Sequence, residues 1–454
     1  MLTEHIPVLV PFPTRPERPY LWSGATRGAL YGLAFELKKT LAEQCGEEEW
    51  VCLASQNKAV IMAGLLASLA GGPRLILPYS ISDRVLGEIH RELSVRTVIT
   101  DSLEQSTGGM DAVVAAMDSP LRSKALIFTR GSHDPFVRLY TGGTTGRPKL
   151  WFKTPANLFG EADTLMTLFE IVPDDIILAA VPPLHIYGLL FTVLVPFLSG
   201  ACVVNDICSF PREIIAASIE CGCTVLVGAP PHYHALATVE PQAWKMRLAF
   251  SSGGKLEENV AKQFYVRFGL GVTEAYGSTE TGGIAWRCAA SGEGSWRAFE
   301  GVRWRISEDT LHVASPHLSP ELPREREGFY KTGDLASKVG GDSFLLKGRG
   351  DGIIKVGGRR VDLAEVESRI KVLSDVWDVF VFSLPTASSR ENEIVALLVC
   401  EAGVTEKDLR CRLMEMLEPY AMPRRMKMVA SIPTTPMGKR DLQTAIDLLG
   451  DSSM

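Results

Sequence analysis

Tyr140-Thr141-Gly142-Gly143-Thr144-Thr145-Gly146-Arg147-Pro148-Lys149 gathers three glycines, three threonine hydroxyls and two cations into ten residues. Glycines permit positive φ and close backbone approach. Successive backbone N–H groups then make an anion nest, which the hydroxyls and cations reinforce. The chemistry this suggests is phosphate binding. It is not a Walker loop, which needs G-x-x-x-x-G-K-[S/T], because Lys149 follows Pro148 and precedes Leu150. Taken alone, the loop could also be a surface Gly/Thr hairpin.

The elements that must position such a loop alternate along the chain. The pattern predicts helices over 28–44, Ala59–Ala70 and Ser82–Leu93. It predicts strands at Val51–Ala54, Arg74–Leu77 and Thr97–Thr100, with further buried strands at Ile176–Val181, Thr224–Val227 and Leu248–Ser251. This is the signature of an α/β fold, a large N-terminal domain of parallel or mixed sheets with flanking helices. Leu248–Ser251 runs into Ser252-Gly253-Gly254, the kind of strand-to-turn junction that lines sites in open sheets. Ile186 to Val204 carries no charge and imitates a membrane span. Pro196 should interrupt a single helix there, so a buried helix leading into a strand at Ala201–Asn205 is expected, with no span.

Five glycines within 348–358 mark a boundary. Beyond it a small α+β unit is predicted: helix Leu363–Leu373, strands Trp377–Ser383 and Ile394–Cys400, and a helix opened by the capping box Thr405-x-x-Asp408. The expected organisation is a domain over 1–348, a hinge at 349–353 and a small mobile domain over 354–454.

The chain of 454 residues has 47 Lys+Arg, 53 Asp+Glu and a net charge of −6, with 46% hydrophobic residues. That composition excludes a disordered or collagen-like chain, and the mild acidity argues against nucleic acid as a partner. The nine cysteines are scattered, with Cys221-Gly222-Cys223 as the one tight pair. Buried free thiols in a reducing cytoplasm are expected rather than disulfides or zinc. The N-terminus lacks the basic start and apolar stretch of a signal peptide.

Further segments follow the loop in order: Pro182-Pro183-Leu184-His185-Ile186-Tyr187-Gly188, Tyr276-Gly277-Ser278-Thr279-Glu280-Thr281-Gly282, Tyr330-Lys331-Thr332-Gly333-Asp334-Leu335, Gly348-Arg349-Gly350-Asp351 and Pro433-x-x-Pro436-Met437-Gly438-Lys439. With the loop, they resemble the adenylate-forming superfamily of acyl- and aryl-CoA ligases, luciferases and nonribosomal adenylation domains, over about 25–445. The resemblance implies activation of a carboxylic acid with ATP and Mg²⁺ to acyl-AMP and pyrophosphate. Transfer to a thiol, CoA or the phosphopantetheine of an acyl carrier protein, would follow.

It also implies roles. The loop over Thr141, Gly142, Gly143, Thr144, Thr145, Gly146 and Lys149 would hold the β- and γ-phosphates. Glu280 would hold Mg²⁺, a hard cation suited to carboxylate oxygen, and Thr279 would contact the α-phosphate. Tyr276, with Gly277, Gly253 and Gly254, would border the nucleotide, although Tyr276 could also be a core tyrosine. Asp334 would accept from both ribose hydroxyls, and Arg349 would contact ribose or phosphate. Lys439 would bridge the acid and the α-phosphate. His185 would line the carboxylate end, and Tyr187, Gly188, Ser252, Ala275 and Gly282 the acid pocket. Asp351 would be the hinge, and Gly357-Gly358 would border a thiol tunnel.

The chain departs from the family pattern at Gly142, Leu150 and Gly352, where Ser, Gly and a polar residue are usual. Losing one loop hydroxyl costs about 1–2 kcal/mol of phosphate binding. Amino-acid-activating relatives place an Asp just after the segment matching 182–188, and this chain has none there. A buried ammonium would lack its counter-charge, which disfavours amino acids as substrates. His185-Ile186-Tyr187-Gly188 with Lys153-Thr154 and Asn157-Leu158 resembles ligases of aryl-polyene and xanthomonadin-type pigment pathways. A dedicated carrier-protein partner and a nucleotide-binding regulator without turnover are the alternatives. A monomer and a homodimer are equally open.

Overall fold

A computed structural model describes residues 15–102, 104–115, 126–140, 149–240, 243–288, 294–349, 352–386, 392–433 and 440–450. The chain divides into two compact units. The first takes the described residues up to Tyr140, Leu150–Thr332 and Ala336–Leu346. The second takes Lys149, Gly333–Leu335 and the described residues from Lys347 onward.

Two sheets organise the first unit. One runs, in spatial order, Asp111–Val114, Thr97–Thr100, Trp50–Leu53, Arg74–Leu77, Val137–Tyr140 and Leu150–Lys153. Its pairs are parallel except the last, where Tyr140 faces Leu150 across an antiparallel ladder. Residues 141–148, the loop expected to bind phosphate, follow Tyr140 in the chain and lie outside the described residues.

The other sheet has eleven strands. At its heart Val272–Ser278, Leu248–Ser251, Val225–Gly228, Ile176–Ala179 and Cys202–Ile207 lie side by side and parallel. Gly282–Cys288 returns antiparallel on Val272–Ser278.

The alternation of side chains along a strand decides where each goes. Val51, Leu53, Val225 and Val227 enter a central core, whereas Cys52 and Leu226 enter outer cores on the opposite faces. Helices Arg27–Ala42, Lys58–Leu69 and Pro155–Leu168 fill the central layer between the sheets. Helix Lys58–Leu69 is buried on every side, which explains its largely apolar composition after Lys58. Arg74–Leu77, Thr97–Thr100 and Leu248–Ser251 have the bounds expected from sequence, and the other elements shift by one or two residues.

Two expectations need correction. Pro196 does not break the run 186–199. The chain passes from α-helix into a π-turn at Leu190–Leu194 and back to α-helix at Val195–Ser199, so Pro196 falls in a first turn, where its missing N–H is tolerated. Arg27 then closes the end of this run, donating to the carbonyls of Pro196 and Phe197 at 2.7 Å and Ala201 at 2.9 Å. Among the described residues, no helix is long and apolar enough to cross a membrane. Secondly, all nine cysteines are free, but only Cys52, Cys202, Cys208, Cys221 and Cys223 are buried. Cys411 is exposed on helix Glu406–Met416, whose buried positions are Leu409 and Leu413.

In the second unit Val376–Pro385 pairs antiparallel with Asn392–Cys400, which pairs parallel with Arg425–Met428. Helices Leu363–Lys371 and Glu406–Met416 pack on one face and Leu442–Gly450 on the other. The hydroxyl of Thr405 accepts the Asp408 N–H at 3.2 Å and caps the helix, the Thr405 half of the box read from sequence.

Candidate active site

Parallel strands that end side by side leave their following loops side by side, and such carboxyl edges are where open α/β sheets bind ligands. In the first unit Ile176–Ala179, Leu248–Ser251 and Val272–Ser278 end this way. They deliver 180–188, 252–254 and the turn at 278–282 to one edge.

The Ser252 hydroxyl donates to the Ala275 carbonyl at 2.8 Å and ties two of these loops together. Gly253 is exposed with φ +87°, and nothing lies within 4 Å of the position a Cβ would take. Lys255 is exposed as well.

The turn after Val272–Ser278 is built from its own side chains. Ser278 N–H donates to Thr281 Oγ1 at 3.0 Å, and Thr281 N–H donates to Ser278 Oγ at 3.2 Å. Gly277 has no room for a side chain, because a Cβ would sit 2.2 Å from the Gly282 carbonyl oxygen. Thr279 and Glu280 are therefore held at the tip of a rigid hairpin, both largely buried. The Glu280 carbonyl accepts the Ser319 N–H at 2.8 Å. Tyr276 is half-buried, 5.5 Å from the Trp296 ring and 6.4 Å from that of Phe344.

At the other side of this edge, His185 precedes helix Ile186–Leu189 and its carbonyl accepts the Leu189 N–H at 2.8 Å. Gly188 packs on the chain itself, where a Cβ would meet the Pro182 carbonyl oxygen at 2.0 Å. Tyr187 heads an aromatic row. Its ring lies 5.1 Å from Phe191, which lies 4.7 Å from Phe250, itself 4.7 Å from Phe169. The Tyr187 hydroxyl is buried without a hydrogen-bond partner among the described residues. Burial, with Tyr233 nearby, pushes its pKa well above 10, so the group is a neutral phenol.

Sequence reading missed what lies behind the turn. Lys153 is 0% exposed, Glu161 4%, His317 3% and Glu280 6%. Lys153 Nζ donates to the His317 carbonyl at 3.0 Å, and Glu161 Oε1 accepts the Gly283 N–H at 2.6 Å. Burial lowers the Lys153 ammonium to about 8, against the upward pull of Glu161, Glu280 and Glu321. Gly282 belongs to this packing: its φ is +67°, and a Cβ would lie 2.6 Å from Glu161 Oε2 and 2.7 Å from His317 Cβ. The available signal was a charge at an inward position. Glu161 falls among Leu158, Phe159, Ala162 and Leu165 on the buried face of its helix.

The remaining candidates are placed separately. Asp334 is half-buried on strand Tyr330–Val339, beside Gly333 with φ +80°. Lys149 is exposed. Gly357 and Gly358, with φ +57° and +76°, form the two-residue turn joining Ile353–Val356 to Arg359–Asp362. That geometry, positive φ at both positions, demands glycine on its own. Arg349 ends strand Ser343–Arg349. Its side chain lies outside the described residues, as do Thr141, Gly142, Gly143, Thr144, Thr145, Gly146, Asp351 and Lys439.

Mg²⁺ is usually bound by one or two carboxylates together with substrate phosphates. Glu280, a buried carboxylate on a fixed turn at the strand edge, fits that donor set.

Comparison with known proteins gives the following. A family model described as AMP-binding enzyme matches residues 25–328, and one described as AMP-binding enzyme C-terminal domain matches 365–439. A sulfoacetate–CoA ligase of Cupriavidus necator is 28% identical over 340 residues, covering 67% of this chain and 65% of the ligase. A p-hydroxybenzoic acid–AMP ligase of Mycobacterium tuberculosis is 25% identical over 476 residues, covering 93% of this chain and 65% of that ligase. The chain thus spans just under two thirds of the length of these two relatives. Among solved structures, an o-succinylbenzoate CoA synthetase of Bacillus subtilis has the same fold, with a TM-score of 0.78, 19% identity and coverage of 98% and 99% of the two chains.

Proposed function

Because the chain belongs to the AMP-binding enzyme family, we propose that it activates a carboxylic acid with ATP and passes the acyl group to a thiol. The acid's carboxylate oxygen attacks the α-phosphorus and pyrophosphate leaves. The thiol sulfur then attacks the acyl carbonyl, loses its proton, and AMP leaves. The observation that carries this reading is the convergence of 180–188, 252–254 and 278–282 at one edge of parallel strands.

Thr279 and Glu280, on their braced turn, face the phosphates. Bound Mg²⁺ supplies charge neutralisation at those phosphates, with Glu280 as its protein carboxylate. The loop 141–149 and Lys439 supply positive charge to the phosphates, Asp334 the ribose acceptor, and Asp351 the hinge. We assign the boundary between a large and a small domain to the glycine-rich stretch 348–358.

The acid is aryl or acyl rather than amino. No acidic residue stands in 182–199 to pair an ammonium, and Tyr187 opens an aromatic row that suits a planar acid. The p-hydroxybenzoic acid–AMP ligase among the relatives and the likeness to pigment-pathway ligases support an aryl substrate. The acceptor is CoA or a carrier-protein phosphopantetheine, and free thiols throughout fit a cytoplasmic enzyme.

The test is pyrophosphate release with hydroxylamine trapping across benzoic, cinnamic, fatty and amino acids, followed by CoA against carrier protein as acceptor. Turnover with an aryl or fatty acid supports the proposal. Turnover restricted to amino acids, or ATP binding with no acid activated, overturns it.

A further inference from the structure

Two consecutive residues of strand Val272–Ser278 fasten both ends of loop 252–256, which follows the neighbouring strand Leu248–Ser251. At one end the Ser252 hydroxyl donates to the Ala275 carbonyl at 2.8 Å. At the other the Leu256 N–H donates to Glu274 Oε1 at 2.9 Å. Leu256 is buried in the outer core, whereas Gly253 and Lys255, between the ties, are exposed. A stretch with two glycines has much backbone freedom to lose, so what holds its ends decides where it lies. Tyr276 is the next residue of the strand that holds it, so loop and ring share one reference.

Glu274 is 2% exposed, and a carboxylate buried that deeply must be paired. Arg287 is the partner, with Nε at 2.6 Å and Nη2 at 2.5 Å from Glu274 Oε2. The same guanidinium donates from Nη1 to the Gly294 carbonyl at 3.3 Å. It also lies 4.6 Å from the centre of the Trp296 ring, which stands 5.5 Å from that of Tyr276. One ion pair thus reaches the loop through Glu274 and the neighbour of Tyr276 through Arg287. For stability alone a well-packed apolar pair commonly serves as well as a buried ion pair. An apolar pair cannot accept the Leu256 N–H.

We propose that Glu274, held by Arg287, is a positioning residue for the nucleotide: it fixes loop 252–256 relative to Tyr276. This rests on the reading of Gly253, Gly254 and Tyr276 as the nucleotide's border. Glu274→Leu with Arg287→Met keeps a packed pair and deletes the acceptor. Binding of ATP, AMP and inorganic tripolyphosphate is measured at equilibrium, without any acid, beside unfolding in denaturant. In the double variant, affinity for ATP and AMP falls by about fivefold to tenfold. Affinity for tripolyphosphate stays within about twofold, and the unfolding midpoint stays near that of the wild type. Replacing Leu256 by its α-hydroxy acid analogue removes only the N–H and gives the same split, which keeps the question decidable if the double variant does not fold. Wild-type AMP affinity in either altered protein overturns the proposal. So does a loss shared equally by tripolyphosphate, which is what a general loosening of the fold gives. Tyr276→Leu is the control. If it keeps AMP affinity, the reading of this border as the nucleotide's fails. If it lowers AMP affinity while the double variant does not, only the positioning proposal fails.

Discussion

Glu161 and Gly283 stand 122 residues apart in the chain, yet the Gly283 N–H donates to Glu161 Oε1 at 2.6 Å. The bond runs from a central-layer helix to the hairpin whose tip carries Thr279 and Glu280. Its closeness leaves no space at Gly282, whose missing side chain would overlap both Glu161 Oε2 and His317 Cβ.

Gly282→Ala should therefore displace the turn. The positive φ and the overlap together cost on the order of 2–3 kcal/mol. Chemical denaturation should show that loss, and pyrophosphate release should fall by at least about tenfold. A variant as stable and active as the wild type would refute the account of the turn.

Glu274 and Arg287 face each other across the same hairpin, with Arg287 Nε donating to Glu274 Oε2 at 2.6 Å. Burial raises the Glu274 pKa and Arg287 counters it. Arg287→Met leaves a buried carboxylate without its partner, and a loss of about 3–5 kcal/mol in unfolding free energy is expected. Arg287→Met with Glu274→Leu should recover most of it.

Tyr187→Phe removes a buried hydroxyl that has no partner among the described residues. Thermal stability should stay level or rise, because an unsatisfied buried hydroxyl is unfavourable. If the hydroxyl donates to the bound acid, KM for the acid rises about fivefold to tenfold with kcat little changed. A fall in Tm with unaltered KM would place the hydroxyl in the fold and not in the pocket.

Lys58 gives a pH signature. Burial lowers its ammonium from 10.5 to about 8. Between those values the unfolded chain binds the extra proton, so stability rises with pH through that window, and below about 8 both states are protonated. Lys58→Met lacks this slope. From pH 7.5 to pH 10, wild type should gain about 2 kcal/mol relative to the variant in denaturant unfolding. A pH-independent difference would contradict the lowered value.

Lys439→Ala should abolish acyl-AMP formation while thioester formation from supplied acyl-AMP continues. Asp351→Pro should do the reverse, stalling transfer and sparing adenylation. Equal loss of both half-reactions in both variants would remove the case for Lys439 as the adenylation lysine and Asp351 as the hinge.

Local patterns were legible in the sequence because they depend on near neighbours. Strand alternation at Val51–Leu53 and Val225–Val227 sorted side chains between cores, and Thr405 and Asp408 capped their helix. Gly357 and Gly358, read from sequence as bordering a thiol tunnel, form a two-residue turn that needs positive φ. The ordered motifs identified the family and made Thr279, Glu280 and Tyr187 candidate site residues. What sequence left undecided depends on contacts between distant segments. Pro196 looked like a helix break until the π-turn before it moved the missing N–H into a first turn. Glu161 drew no reading from the sequence, and Lys153 drew one only as part of a resemblance. Only the stacking of a helix layer between two sheets turns them inward, where a carboxylate and an ammonium must find partners 122 and 164 residues away. Burial makes those long-range pairings obligatory, and no spacing along the chain encodes them.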